Sequence, residues 1–135
     1  MALTSNIRWL LTSDAGVTAL VGTRIYPLIL PQNPTLPAIS YGLISAIRDT
    51  NLSSMVGLVE VRYQFDCWAL TLLEAEAMAD ALRAALHGFQ GPVGGSPATG
   101  NVSGSFAENE RHIYEPDTEI YRISTDYFLF VQEEV

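Results

Sequence analysis

The stretch Val59-Glu60-Val61-Arg62-Tyr63-Gln64-Phe65-Asp66-Cys67-Trp68-Ala69-Leu70-Thr71-Leu72-Leu73-Glu74-Ala75-Glu76-Ala77-Met78-Ala79-Asp80-Ala81-Leu82-Arg83-Ala84-Ala85-Leu86-His87-Gly88 changes its hydrophobic period in the middle. Val59, Val61, Tyr63, Phe65, Cys67 and Ala69 alternate with Glu60, Arg62, Gln64, Asp66 and Trp68, the period-two pattern of a half-buried strand. From Thr71 onward Leu72, Ala75, Met78, Ala79, Leu82, Ala85 and Leu86 fall on one face of an α-helix. Thr71 and Glu74 have the spacing of a capping box, and Gly88 supplies the expected C-terminal stop. A long strand therefore runs almost directly into an amphipathic helix. That unit is a packing scaffold and carries no catalytic constellation.

Working outward, the first twenty-two residues read as a helix or broken helix. Leu3, Ile7, Leu10 and Leu11 form one stripe, Asp14 caps a second turn carrying Val17, Leu20 and Val21, and Gly22 closes it. Arg24 to Pro37 holds four prolines, which exclude a helix and a central strand. This arm is extended and apolar, and its residues leave open whether it folds back onto the core or meets a partner. Ile39, Tyr41 and Leu43 alternate with Ser40 and Gly42 in a strand that ends near Ile47, and polar Arg48 to Gly57 reads as a hairpin loop. Gly88 to Gly104 is too rich in glycine to be regular throughout. Phe106 closes a weak strand, and Glu108 to Glu119 reads as a solvated acidic stretch. Ile120 to Val131 is a terminal strand with Tyr121, Ile123, Thr125, Tyr127, Leu129 and Val131 on its apolar face. The expected fold is a single α+β domain spanning residues 1–135, a mainly antiparallel sheet with helices packed on one face.

The two best strands carry matching charges, Arg62 and Asp66 on one and Arg122 and Asp126 on the other. An antiparallel register placing Gln64 opposite Ser124 sets Arg62 across from Asp126 and Asp66 across from Arg122. Opposite charges across a ladder contribute about 0.2–1 kcal/mol each.

The net charge is −8, and all seven basic residues counted are arginines. That balance opposes sequence-specific nucleic-acid binding, whose affinity for phosphate comes from cationic side chains. No apolar run approaches the ~18 residues of a membrane span, and the N-terminus lacks the pattern of a secretory signal. The one cysteine has inward phase, which reads as a core thiol in a reducing compartment. His87 sits at a helix C-terminus, where an imidazolium suits the helix dipole, and His112 lies among Glu108, Glu110, Arg111 and Glu115. Neither belongs to a zinc spacing or a nucleophile triad. Gly95 and Gly100 have phosphate-loop spacing, but Asn101 and Val102 follow where Lys and Ser or Thr are required. No catalytic, cofactor-binding or metal-binding residue is assigned, and no cofactor is expected.

Several stretches together resemble the phage tail-completion, or tail-terminator, family. They are the Leu-rich opening helix, Asp14 to Pro27 with its Val-Gly-x-Arg-Ile-Tyr-Pro core, Pro31-Gln32, Leu36 to Tyr41, Val61 to Trp68, Glu74 to Asp80, and the Asp126-Tyr127 strand. The resemblance implies a small α+β subunit that forms a ring, typically a hexamer, at the head-proximal end of a siphophage-like tail tube. There it would end tube polymerisation, fix tail length and meet a head-completion or neck protein. It would be made in the bacterial cytoplasm and reside in a virion or virion-like particle of phage, prophage or gene-transfer-agent origin. A ring needs two unlike, complementary patches. Arg24, Tyr26, Leu28, Pro31, Gln32, Arg48, Asp49, Glu108, Glu110 and Arg111 are the expected interface residues, with Arg8, Arg24, Arg48 and Arg111 set against Glu108, Glu110, Glu115 and Asp117 as the charges of such a contact. Acidic residues in the lumen would let DNA pass without sticking. A head-closure connector remains an alternative, as does a small cytoplasmic enzyme or binding module.

Overall fold

A computed structural model describes residues 3–48, 58–95 and 97–132. Two short helices open it, α1 (Leu3–Thr12) and α2 (Ala15–Val21). In α1, Leu3, Ile7, Leu10 and Leu11 are buried together with Asn6. The Asp14 carboxylate accepts from the Val17 amide at 3.0 Å to start α2, and Gly22 ends it at φ 59°. Strands β1 (Ile25–Pro27), β2 (Ala38–Arg48) and β3 (Leu58–Ala69) follow, then helix α3 (Leu72–Leu86). The Thr71 hydroxyl accepts from the Glu74 amide at 3.2 Å, the first half of the expected capping box. Strands β4 (Gly91–Val93), β5 (Gly100–Glu115) and β6 (Ile120–Gln132) complete the chain.

The six strands form one sheet in the order β1-β2-β3-β6-β5-β4, antiparallel except for the parallel β1–β2 pair. All three helices lie on one face, so the fold is α+β as the sequence indicates. The core is the inner face of β3 and β6 against α1 and α3, with Val61, Phe65, Ile123, Leu129, Met78 and Leu82 fully buried. Tyr41, Tyr63, Phe65 and Tyr127 stack across three strands at centroid distances of 5.3–6.2 Å. The Tyr41 hydroxyl donates to the Thr4 carbonyl at 2.7 Å, which fastens α1 to the sheet.

Four readings are corrected. The acidic stretch from Glu108 is exposed as expected, but the strand does not close at Phe106: β5 runs on through it to Glu115. A bulge between Ala107 and Glu110 breaks the alternation, and the strand's outward positions are polar because solvent lies beyond them. Leu43 keeps the inward phase opposite Tyr63 but is 46% exposed, and a second irregularity follows it, between Leu43 and Ser45. The β3–β6 register is two residues from the one expected, with Gln64 opposite Asp126 and Asp66 opposite Ser124. A shift of two residues preserves the phase of all six inward β3 residues, so their burial is compatible with both registers. The His87 imidazole, finally, accepts from the Ala107 amide through Nδ1 at 3.0 Å, tying the helix end to the β5 backbone rather than serving as a cation at the dipole.

The glycine-rich segment is built around one buried side chain. Asn6, 5% exposed, accepts from the Thr99 hydroxyl at 2.6 Å. Gly94, at φ +98°, and Gly100 press against the same amide; a Cβ on Gly100 would lie 2.6 Å from Asn6 Nδ2, and one on Gly94 would strike the Thr99 side chain. Gly94→Ala is therefore expected to lower stability by about 2–3 kcal/mol and Thr99→Ala by about 1 kcal/mol, read from urea midpoints at constant m. The chain should also show a steep alkaline loss of stability. Burial raises the Tyr41 phenol to about 12 and pushes Tyr63 and Tyr127 up as well. The native state thus holds protons that the unfolded chain releases near pH 10, so stability is complete below that pH and falls as pH rises from 10 towards 12. Tyr41→Phe should flatten this fall while costing about 1 kcal/mol at pH 7 for the lost bond to Thr4, measured by denaturation across pH 7–12.

Candidate functional site

The outer face of the sheet carries no helix. Its upper half, where β2 begins and β5 ends, is a charged lattice. Arg62 binds the Asp126 carboxylate through Nη2, although the two residues are diagonal rather than opposite in the ladder. Arg111 lies 3.7 Å from the same carboxylate and donates to the Ser124 hydroxyl at 3.0 Å. Arg122 spans Glu115 at 2.9 Å and Asp66 at 3.8 Å, while its guanidinium stacks 4.9 Å from the Trp68 ring centre. Trp68 donates in turn to the Ser40 hydroxyl at 2.8 Å. The long arginines reach one residue pair along the ladder, which is how both expected charge pairs meet in a register that does not align them. Asp126 is 3% exposed and lies beneath the two guanidinium groups; its bond to Arg62 holds that guanidinium's pKa above its usual value.

The lower half of this face is apolar. Phe106 and Phe128 are cross-strand partners, and Phe130 meets Phe106 edge-on at 6.2 Å. Arg62 lies 5.6 Å over Phe128 and marks the border between the halves. Phe106 is 47% exposed.

A second apolar surface lies on the opposite margin. After Pro27 the arm turns at Leu28, whose φ of 66° places a branched residue in the left-handed region. Its amide donates to the Tyr41 carbonyl at 2.7 Å, and its side chain covers Gly42, where an added Cβ would lie 3.0 Å away. Leu28 and Ile29 are 75% and 78% exposed, and Ile44 and Ile47 continue the surface along β2. Among the described residues, no strand pairs with this side of β2 beyond Tyr41.

The expected interface residues are spread over several parts of the subunit. Tyr26 is half-buried on β1, and Leu28, Pro31, Gln32 and Arg48 are exposed on the β1–β2 margin; Asp49 lies outside the described residues. Arg24 is engaged within the subunit, donating from Nε to the Pro37 carbonyl at 2.8 Å across the base of the arm. Arg8 similarly donates to the Thr23 and Ile25 carbonyls. Glu108 and Glu110 are exposed on β5, with Glu110 3.7 Å from Arg83. Arg111 faces the charged lattice, as does Glu115, while Asp117 lies in the turn before β6. Sequence reasoning missed Ile44, Ile47, Phe106, Phe128 and Phe130. Phe128 and Phe130 had a signal: they are large aromatics out of phase with inward Tyr127, Leu129 and Val131.

Little here suits bond-making chemistry. Cys67 is 1% exposed and its thiol is pushed far up by burial, which opposes the thiolate that nucleophilic attack requires. A shallow depression of about 270 Å³ lies between Trp9, Leu10, Ala85, Phe89 and Pro92, and its one carboxylate, Asp14, is occupied in capping α2. Among the described residues no group of three or more His, Cys, Asp and Glu is placed to hold a metal, and no helix is long and apolar enough to cross a membrane.

The fold leaves two exposed apolar surfaces on one sheet, one along the β1–β2 edge and one on the outer face of β5 and β6. The chain belongs to the tail completion protein gp17 family, whose model matches residues 5–132. It is thus a phage-tail structural protein and a virion component. The fold is shared with a chain in the structure of the virion of a native gene transfer agent particle, at a TM-score of 0.76 and 20% identity, covering 98% of this chain and 96% of that one. A search of curated protein sequences finds no match.

The lattice is expected to behave as one unit. Asp126→Ala should lower the denaturation midpoint more than Arg62→Ala, because it leaves two guanidinium groups facing each other over a buried void. The Asp126→Ala/Arg111→Ala double variant should lose less than the sum of its singles in a double-mutant cycle.

Proposed function

We propose that this protein is a tail-terminator subunit that closes into a ring, a hexamer, at the head-proximal end of a tail tube. The ring ends tube polymerisation and presents its other side to a head-completion or neck protein. The observation that carries this reading is the family membership over nearly the whole chain. Physical support comes from two exposed apolar patches, one on the β1–β2 edge and one on β5 and β6, since a closed ring requires each subunit to offer two unlike surfaces. The role is structural rather than enzymatic: the charged groups of the open face are largely engaged with one another. The net charge of −8 suits a channel through which DNA passes without adhering.

Arg24 serves this role indirectly. It holds the arm in place through the Pro37 carbonyl, so its reversal should displace the arm. Purified protein, added to polymerising tail tubes, is expected to yield shorter tubes bearing a ring at one end in negative-stain images, with Arg24→Glu capping less well at equal folded concentration. Binding to heads or neck proteins without any effect on tubes would replace this reading by a head-closure connector. A monomer that neither assembles nor caps would return the enzyme or binding-module alternative.

A further inference from the structure

We propose that His87 is an acid-sensitive clasp between the end of α3 and strand β5. It is closed while the imidazole is neutral, and protonation opens it and frees the β5 segment that carries Phe106. The clasp belongs to the single chain and does not depend on ring formation.

The Ser105 carbonyl and the Ala107 amide of β5 both face the segment that leaves α3. Gly88 donates from its amide to that carbonyl at 2.6 Å. Two residues further along β5, a side chain takes the place of a ladder carbonyl, and the Ala107 amide donates to His87 Nδ1 at 3.0 Å. A ring nitrogen that accepts carries no proton, so this bond exists only in the neutral imidazole with its proton on Nε2. An imidazolium carries N–H groups at both nitrogens, and two donors then point at each other. The ring must turn away, and in doing so it leaves the Phe106 ring that it meets edge-on at 6.2 Å. Histidine changes charge between about pH 5 and 8, so mild acid is enough.

Little else holds this part of β5 from outside. Among the described residues no strand pairs with its outer edge beyond Val102, and its register with β6 shifts between Ala107 and Glu110. The surrounding charges do not hold an imidazolium in place either. On α3, Arg83 stands one turn before His87, binds Asp80 at 2.6 Å and lies 3.7 Å from Glu110. On β5, Glu110 also lies 3.9 Å from His112, and Glu108 acts on Arg62. Residues Phe89 to Val93 carry no ionisable side chain. On β6, Phe128 and Phe130 stand beside Phe106, and Asp126 is bound by Arg62. The nearby carboxylates are thus drawn to other cations, while a charge formed on His87 meets the like charge of Arg83.

The test is NMR of the full chain labelled with 15N, from about pH 8 to about pH 5.5, a window above the ordinary titration of carboxylates. At the upper end the His87 ring is expected as the Nε2–H tautomer, with a scalar coupling across the hydrogen bond between its Nδ1 and the Ala107 nitrogen. As pH falls the coupling should vanish, the Ala107 amide proton should move upfield with the same midpoint as the His87 ring, and the Phe106 ring signals should shift with it. His87→Asn sets a non-titrating acceptor near the position of Nδ1. This variant, folded by circular dichroism, is expected to hold its Ala107 and Phe106 signals constant across the window, while His112→Asn keeps the titration of the unmodified chain. An Nδ1–H tautomer at pH 8 overturns the proposal, as does an Ala107 amide that does not follow the His87 ring or that still titrates in His87→Asn. Phe106 signals that stay fixed while Ala107 titrates overturn the release of that segment. The tautomer and the coupling are read on the unmodified chain, so they decide the matter even where a variant misfolds.

Discussion

Strands β3 and β6 pair over twelve residues, from Leu58 opposite Gln132 to Ala69 opposite Tyr121, and the rest of the subunit depends on that ladder. Its inner face supplies the alternating apolar rows against which α3 packs, and its two outer sides receive β2 and β5. The ladder joins residues about sixty positions apart, so the fold closes only when the chain's last strand arrives at its centre. Loop-closure entropy grows slowly with such separation, while a fully buried row of Val, Tyr and Phe side chains gains about 1.5–3 kcal/mol per residue. Burial therefore easily outweighs the closure cost, and it also outweighs the charge pairs that lie on the other face.

That order of magnitudes explains the outer face. A cross-strand ion pair at the surface contributes at most about 1 kcal/mol and tolerates displacement, because arginine has a long flexible stem. The inward rows set the phase, and in the observed register Arg62 and Arg122 reach diagonally to Asp126 and Asp66. Arg122 gained Glu115 and Trp68 in the same movement. The result is a face whose upper half has largely satisfied its charges internally, leaving the lower apolar half and the β2 margin as the surfaces with most to gain from a partner. The charged half and the net charge of −8 oppose indiscriminate association.

The short strands at the ends of the sheet show a related economy. β1 and β4 each cover only three residues of their neighbours, and Arg24, Arg8 and His87 fix the segments beside them through one or two hydrogen bonds each to backbone groups. The glycine-rich segment before β5 follows the same logic on a smaller scale, folding around Asn6 because only glycine fits against its amide. Residues that invited a functional reading from their type, the lone arginine of the arm and the histidine at the helix end, are engaged in holding these margins.

The sequence by itself determined the elements with a strong period and a clear boundary: β3 with its six inward residues, α3 with Thr71 at its cap, the Asp14 start of α2, and β6. It also determined the proline-bearing arm and the family to which the chain belongs. Each of these rests on local information, a side-chain alternation or a capping hydroxyl that acts within four residues. The tertiary structure alone decided the β3–β6 register, which is one of two alignments with the same phase, and the length of β5 and the phase of β2 past Leu43, because bulges between Leu43 and Ser45 and between Ala107 and Glu110 leave no mark in residue type. It alone placed Ile44 and Ile47 on one margin and Phe106, Phe128 and Phe130 near the other. Such surfaces are assembled from strands distant in sequence, and whether an apolar residue is core or contact depends on what packs over it.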